Sequence, residues 1–110
     1  MFDTFSVDLG KAGLEMLFEP WQIEAMQTLW RGGAWKSAEV HDALKTRGVD
    51  ISRASVINFL NRMAGDDVLN YVDKPGRGGY CRVYSAALSE AQLWDEITSK
   101  IIDKIKEASS

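Results

Sequence analysis

Apolar positions along the chain recur at two different periods. Trp21, Ala25, Met26, Leu29 and Trp30 are spaced by three and four, a helical stripe that opens at Pro20 and that Gly32-Gly33 ends. A short extended stub, Ala34 to Lys36, leads to a second helix from Ala38 to about Thr46. Ser37 is its expected N-cap, Val40 and Leu44 point inward, and Gly48 is its stop. Ser52 caps a third helix, Arg53 to Ala64. At about 100° per residue Val56, Phe59, Leu60 and Met63 fall within a quadrant, while Ala54, Asn58, Asn61 and Arg62 point the other way. Gly65-Asp66-Asp67 breaks this helix, and the period then shortens. Leu69 to Asp73 and Tyr80 to Tyr84 are β-prone runs flanking Lys74-Pro75-Gly76-Arg77-Gly78-Gly79, which predicts a hairpin with a basic, glycine-rich tip. Ser89 with Gln92 forms a capping-box pattern at the head of a long tail helix, in which Leu93 or Trp94, Ile97, Ile101 and Ile105 make a stripe with Ile102 beside it. At the front, Asp8 is a candidate cap for a short helix containing Leu9, Leu14, Leu17 and Phe18, against which Gly10 and Gly13 weigh.

A helix, an extended stub, two more helices and a hairpin, in that order, predict a winged helix, the helix-turn-helix variant with a β-ribbon wing. The expected class is mainly α with a small antiparallel β-hairpin. Residues 1–18 read as an N-terminal extension, 19–87 as the winged helix and 88–110 as a C-terminal amphipathic helix for dimerisation. At 110 residues and 45% hydrophobic, the chain has the size and core of one ordinary domain.

Charge changes this picture by its position more than by its sum. The formal net charge is -3, so bulk composition supplies no nucleic-acid coat or polybasic membrane anchor. Yet residues 20–84 hold nine basic against seven acidic groups, with net acidity confined to the two ends. Any phosphate-binding patch must lie in the middle. Cys81, the single cysteine, excludes an internal disulfide and a thiolate cluster; a reducing cytoplasm is the expected compartment, with no leader peptide at the acidic start and no apolar run long enough for a membrane span. One Cys and one His cannot close a structural zinc or copper site, so neither metal nor cofactor is expected. Without triad spacing or a phosphate loop, catalysis is not expected either: His41 reads as a surface or capping residue and Ser37 as a cap. Gly76-Arg77-Gly78-Gly79 lies between strands, so the dinucleotide fingerprint does not apply. Cys81 reads as a small core residue, with a redox-sensing thiol as the alternative.

A helix that reads DNA needs an apolar inner face to seat it and an outer face able to bond base edges, where Asn suits adenine and Arg suits guanine. Arg53, Ser55, Asn58, Asn61 and Arg62 meet that need, and Ala54 or Ile57 could touch a thymine methyl. The plainer alternative is that these groups merely solvate a surface helix. Lys74, Arg77 and Arg82 favour DNA, because the winged layout puts their hairpin beside that helix, where cations meet phosphate or the minor groove.

The run from Trp21 to Trp30, then Ser37-Ala38-Glu39-Val40, Ile51 to Val56, Phe59 to Met63 and Gly79 to Tyr84 resembles the penicillinase-repressor (BlaI/MecI/CopY-like) family of winged-helix transcription regulators. The resemblance covers residue 19 to about 88. It implies that Met26, Leu29 and Trp30 pack the core, that Ser55 to Met63 reads the major groove, and that Tyr71 to Tyr84 forms the wing of a dimeric repressor with a palindromic operator. The chain departs from the family in Gly65-Asp66-Asp67, where a basic residue and glycine are usual. After residue 88 it has neither the paired cysteines of the copper sensors nor the Asn-Phe cleavage peptide of the β-lactam regulators.

These readings lead to a repressor binding double-stranded DNA as a homodimer, with Trp94, Ile97, Ile101 and Ile105 at the dimer interface. Two alternatives stay open. The winged helix could be a protein-docking module that does not read sequence, and the tail stripe could fold back on Leu14, Leu17 and Phe18 of its own chain.

Overall fold

The computed structural model describes residues 13–76 and 78–109. A 3-10 turn, Gly13–Met16, leads into α1 (Pro20–Trp30), β1 (Trp35–Lys36), α2 (Ser37–Thr46), α3 (Arg53–Gly65), β2 (Leu69–Gly76), β3 (Gly79–Ala86) and α4 (Glu90–Ser109). The three strands form one antiparallel sheet in the order β1-β3-β2. This is a winged helix, as the element order predicts. The expected Asp8-capped helix falls largely on residues outside those described.

The helix ends follow from local hydrogen bonding. Ser52 Oγ accepts the Ser55 N–H at 3.1 Å, and Ser89 and Gln92 exchange both bonds of a capping box, at 2.9 and 3.2 Å. The predicted Ser37 cap is displaced by one residue: Ser37 is already helical, and the bond at the helix start runs from the Lys36 N–H to the Glu39 carboxylate at 2.8 Å. Both α2 and α3 end in the turn that wraps the last carbonyls. In α2 the Val49 and Gly48 amides reach Leu44 and Lys45 with Gly48 at φ 81°. In α3 the Val68 and Asp67 amides reach Met63 and Ala64, and the left-handed position falls on Asp67, at φ 61°, rather than on a glycine.

The hairpin is longer and its loop shorter than the sequence predicts. Register runs from Leu69 opposite Ala86 to Gly76 opposite Gly79, so Lys74, Pro75 and Gly76 belong to the strand and not to the loop. Proline survives there because β2 is an edge strand, where a missing N–H costs no ladder bond. Gly78 and Gly79, at φ 77° and 127°, supply the turn.

The core joins every helix. Ala25, Met26 and Leu29 of α1, Val40 and Leu44 of α2, Val56, Phe59, Leu60 and Met63 of α3, and Val68, Leu69 and Tyr84 around the sheet form one buried cluster. It extends on both sides of residues 19–87, taking in Phe18, Leu93 and Ile97, with Leu14, Leu17 and Ile101 packed against it. Phe59 sits edge-on to both Phe18 and Trp21, at 5.9 and 5.4 Å between centroids. Trp30 Nε1 donates to the Leu88 carbonyl at 3.0 Å, tying α1 to the segment that leads from the wing into α4. The first turns of α4 are thereby part of the fold. Cys81, read from sequence as a core residue, is only half-buried and lies at the wing surface outside this cluster.

Candidate nucleic-acid interface

The outer arc of α3 divides into two halves with different commitments. In the N-terminal half, Arg53, Ala54, Ile57 and Asn58 are exposed, and the side chains of Arg53 and Asn58 have no hydrogen-bond or ionic partner among the described residues. Ser55 is half-buried and its hydroxyl accepts from Ser52 Oγ at 2.8 Å, so it completes the helix cap. In the C-terminal half, Arg62 lies over the Phe59 ring at 5.6 Å, and Asn61 turns to the wing.

Asn61 Oδ1 accepts two bonds from β3: one from Tyr84 OH at 2.5 Å and one from Arg82 Nη1 at 3.0 Å. Arg82 also stacks on Tyr71 at 4.1 Å, and its Nε lies 3.9 Å from the Asp73 carboxylate. Burial raises the Tyr84 pKa above the ordinary phenol value, and the neighbouring Arg82 pulls it partly back. The phenol therefore stays a neutral donor. The expected base reader Asn61 and phosphate contact Arg82 are thus joined to each other, and together they fix the angle between α3 and the wing. Alternation along β3 carries a signal for this: Arg82 and Tyr84 are two residues apart, share one face, and both need an acceptor from the element beside them.

Of the other wing cations, Lys74 is exposed with no side-chain partner among the described residues, and Arg77 lies outside them. Tyr80 near the tip is 77% exposed. His41 is structural: its Nε2 donates to the Ile51 carbonyl at 2.9 Å, anchoring the loop just before the α3 cap. Among the described residues no three or more His, Cys, Asp or Glu side chains gather as a metal site, and no helix is long and apolar enough to cross a membrane.

A sequence model of the penicillinase repressor family matches residues 20–110. The chain belongs to the penicillinase repressor family. No curated protein and no solved structure matches it. As a penicillinase repressor it is of a DNA-binding, transcription-repressing, non-enzymatic kind, and the match takes in α1 through α4.

The residues expected at a repressor dimer interface separate along α4. Ile97 is 3% exposed and belongs to the chain's own core, Trp94 and Ile101 are half-buried, and Ile105 is 61% exposed with Ile102 beside it. Folding back holds for the first turns, where Leu14, Leu17 and Phe18 meet the same cluster; the apolar surface left outward lies at Ile102 and Ile105.

Proposed function

We propose that this repressor binds a palindromic duplex operator as a homodimer, reading bases with Arg53, Ala54, Ile57 and Asn58 in the major groove. The observation that carries the reading is the state of those four residues: an exposed arc at the N-terminal end of a helix whose opposite face, Val56, Phe59, Leu60 and Met63, is locked in the core. Recognition helices present their N-terminal residues to base edges, and a free amide and guanidinium are the groups that pair with adenine and guanine. Lys74 and Arg77 on the wing serve phosphates. The outward isoleucines Ile102 and Ile105 support pairing of α4 with a second copy, which would set two α3 helices about 34–36 Å apart, or a multiple of that.

The test is selection of binding sites from random duplexes by wild type and by Asn58→Ala. Loss of preference at one defined base pair per half-site, by about 1–3 kcal/mol with thermal unfolding unchanged, is the expected outcome. Identical selected sites with and without that side chain would remove α3 from base reading. The rival reading, a protein-docking module, draws on the exposed Val72 and Tyr80 of the wing; it requires that wild type select no duplex sequence.

A further inference from the structure

Between the start of α3 and the wing lies an open crevice of about 440 Å³, a volume within the range of small-ligand sites. Lys36, Arg53 and Arg82 line it, from three different elements, and among the described residues no carboxylate does. That composition runs against the chain as a whole, since 16 acids in 110 residues would put about one or two on a wall of this size. The Lys36 ammonium and the Arg53 guanidinium have no partner among the described residues. Arg82 spends one N–H on Asn61, is held over Tyr71 and has its Nε 3.9 Å from the Asp73 carboxylate, which lies outside the crevice lining; it is a cation fixed in place whose remaining N–H groups can still donate. Glu39 is the nearest acid in sequence, and its carboxylate is turned to the Lys36 backbone N–H instead of lining the crevice.

We propose that this crevice takes a phosphate group, with Arg53 and Lys36 as its mobile donors and Arg82 as its fixed one. A phosphate dianion suits a crevice lined by three cations better than a single carboxylate does, and guanidinium forks suit its oxygens. The group has two possible sources: a backbone phosphate of bound duplex, or a free phosphorylated small molecule that then competes with duplex for the same face. The first source rests on the DNA reading above and gives Arg53 a backbone role beside or in place of base contact; the second does not depend on it. Cys81 lies on the same wall, so its amide is a reporter of occupancy.

The experiment uses the full chain with Lys36→Gln and Arg53→Gln, each first shown to unfold at the wild-type temperature, with pyrophosphate as the free probe. Duplex affinity is measured over a salt series, and amide shifts of Ala38 and Cys81 are followed during pyrophosphate titration at constant ionic strength. Saturable shifts that weaken about fivefold in the variants, with displacement of duplex, support the free-molecule source. No pyrophosphate binding, but a salt slope lower by about one in each variant for every duplex tested, supports the backbone source. Pyrophosphate binding by a wild type that binds no duplex upholds the crevice and sinks the DNA reading. Duplex binding with unchanged slopes in both variants, together with no pyrophosphate shifts, overturns the crevice and leaves the DNA reading standing.

Discussion

Replacing Asn61 with Ala distinguishes a side chain that reads bases from one that holds the wing. The substitution removes the oxygen that accepts from both Tyr84 OH and Arg82. Tyr84 is 2% exposed, so its hydroxyl has little access to water and loses its acceptor at about 1–3 kcal/mol, the cost of leaving a buried donor unmade. Arg82 is partly exposed and can turn to solvent, so its share is at most about 1 kcal/mol. Asn61→Ala should therefore destabilise the fold by about 1–4 kcal/mol. Tyr84→Phe removes the donor but leaves Asn61 bonded to Arg82, and should cost only about 0.5–1.5 kcal/mol. In the double variant the buried hydroxyl is already gone, so the two costs should fall short of their sum by about 1 kcal/mol. Urea midpoints at constant slope give the four stabilities. Duplex affinity of Asn61→Ala should change by a similar factor for every sequence, because what moves is the wing. A wild-type midpoint for Asn61→Ala combined with altered base preference would refute the clamp and restore Asn61 as a reader.

Tyr84 also predicts an alkaline limit: its folded pKa lies above the unfolded value, so its contribution is complete below about pH 10 and is lost as pH rises through the folded pKa. Urea midpoints between pH 8 and 11 should fall more steeply for wild type than for Tyr84→Phe; parallel curves would refute it. Asp67→Gly relieves the left-handed backbone at the end of α3 and should stabilise by about 0.5–1 kcal/mol, read as a raised urea midpoint. Ile97→Ala should cost about 2–5 kcal/mol of folding stability, as expected of a core isoleucine, whatever the concentration of protein. The Ile102→Asp, Ile105→Asp double variant should instead keep the wild-type fold by circular dichroism and shift sedimentation equilibrium from dimer to monomer at micromolar concentration; a monomeric wild type would remove α4 from the dimer.

Element order was legible in the sequence because each element carries its own period and its own stop. Gly32-Gly33, Gly48 and the capping pairs at Ser52 and Ser89 mark boundaries through backbone chemistry that acts locally, and the structure keeps them. The wing was less legible. Lys74-Pro75-Gly76 has the composition of a turn, and only its place at a sheet edge lets it continue a strand, which is a property of the neighbours and not of the residues. The same limit applies to α3. Asn58 and Asn61 are chemically identical and one turn apart, yet one is open to solvent and the other meets Tyr84 and Arg82. Lys36 carried no visible role in sequence, since a lysine in a two-residue stub gains a place only when β1 pairs with β3 at Val83 and brings it to the wing.

The division of α3 has a mechanical consequence for recognition. Its 13 residues span about 20 Å, with the free arc in the first two turns and the wing clamp at Asn61, one turn beyond Asn58. Because the inner face of the same helix is locked by Val56, Phe59, Leu60 and Met63, the distance from the exposed arc to the wing cations is set by one rigid element and two hydrogen bonds. Arg82 takes part in both, lining the crevice and anchoring the wing to α3. A phosphate drawn to Arg82 therefore meets a cation whose position is already tied to the reading frame of the helix. Contact with the backbone and register on the bases are then one adjustment, and a change at Asn61 should misplace the phosphate contacts even though every base-facing side chain is intact.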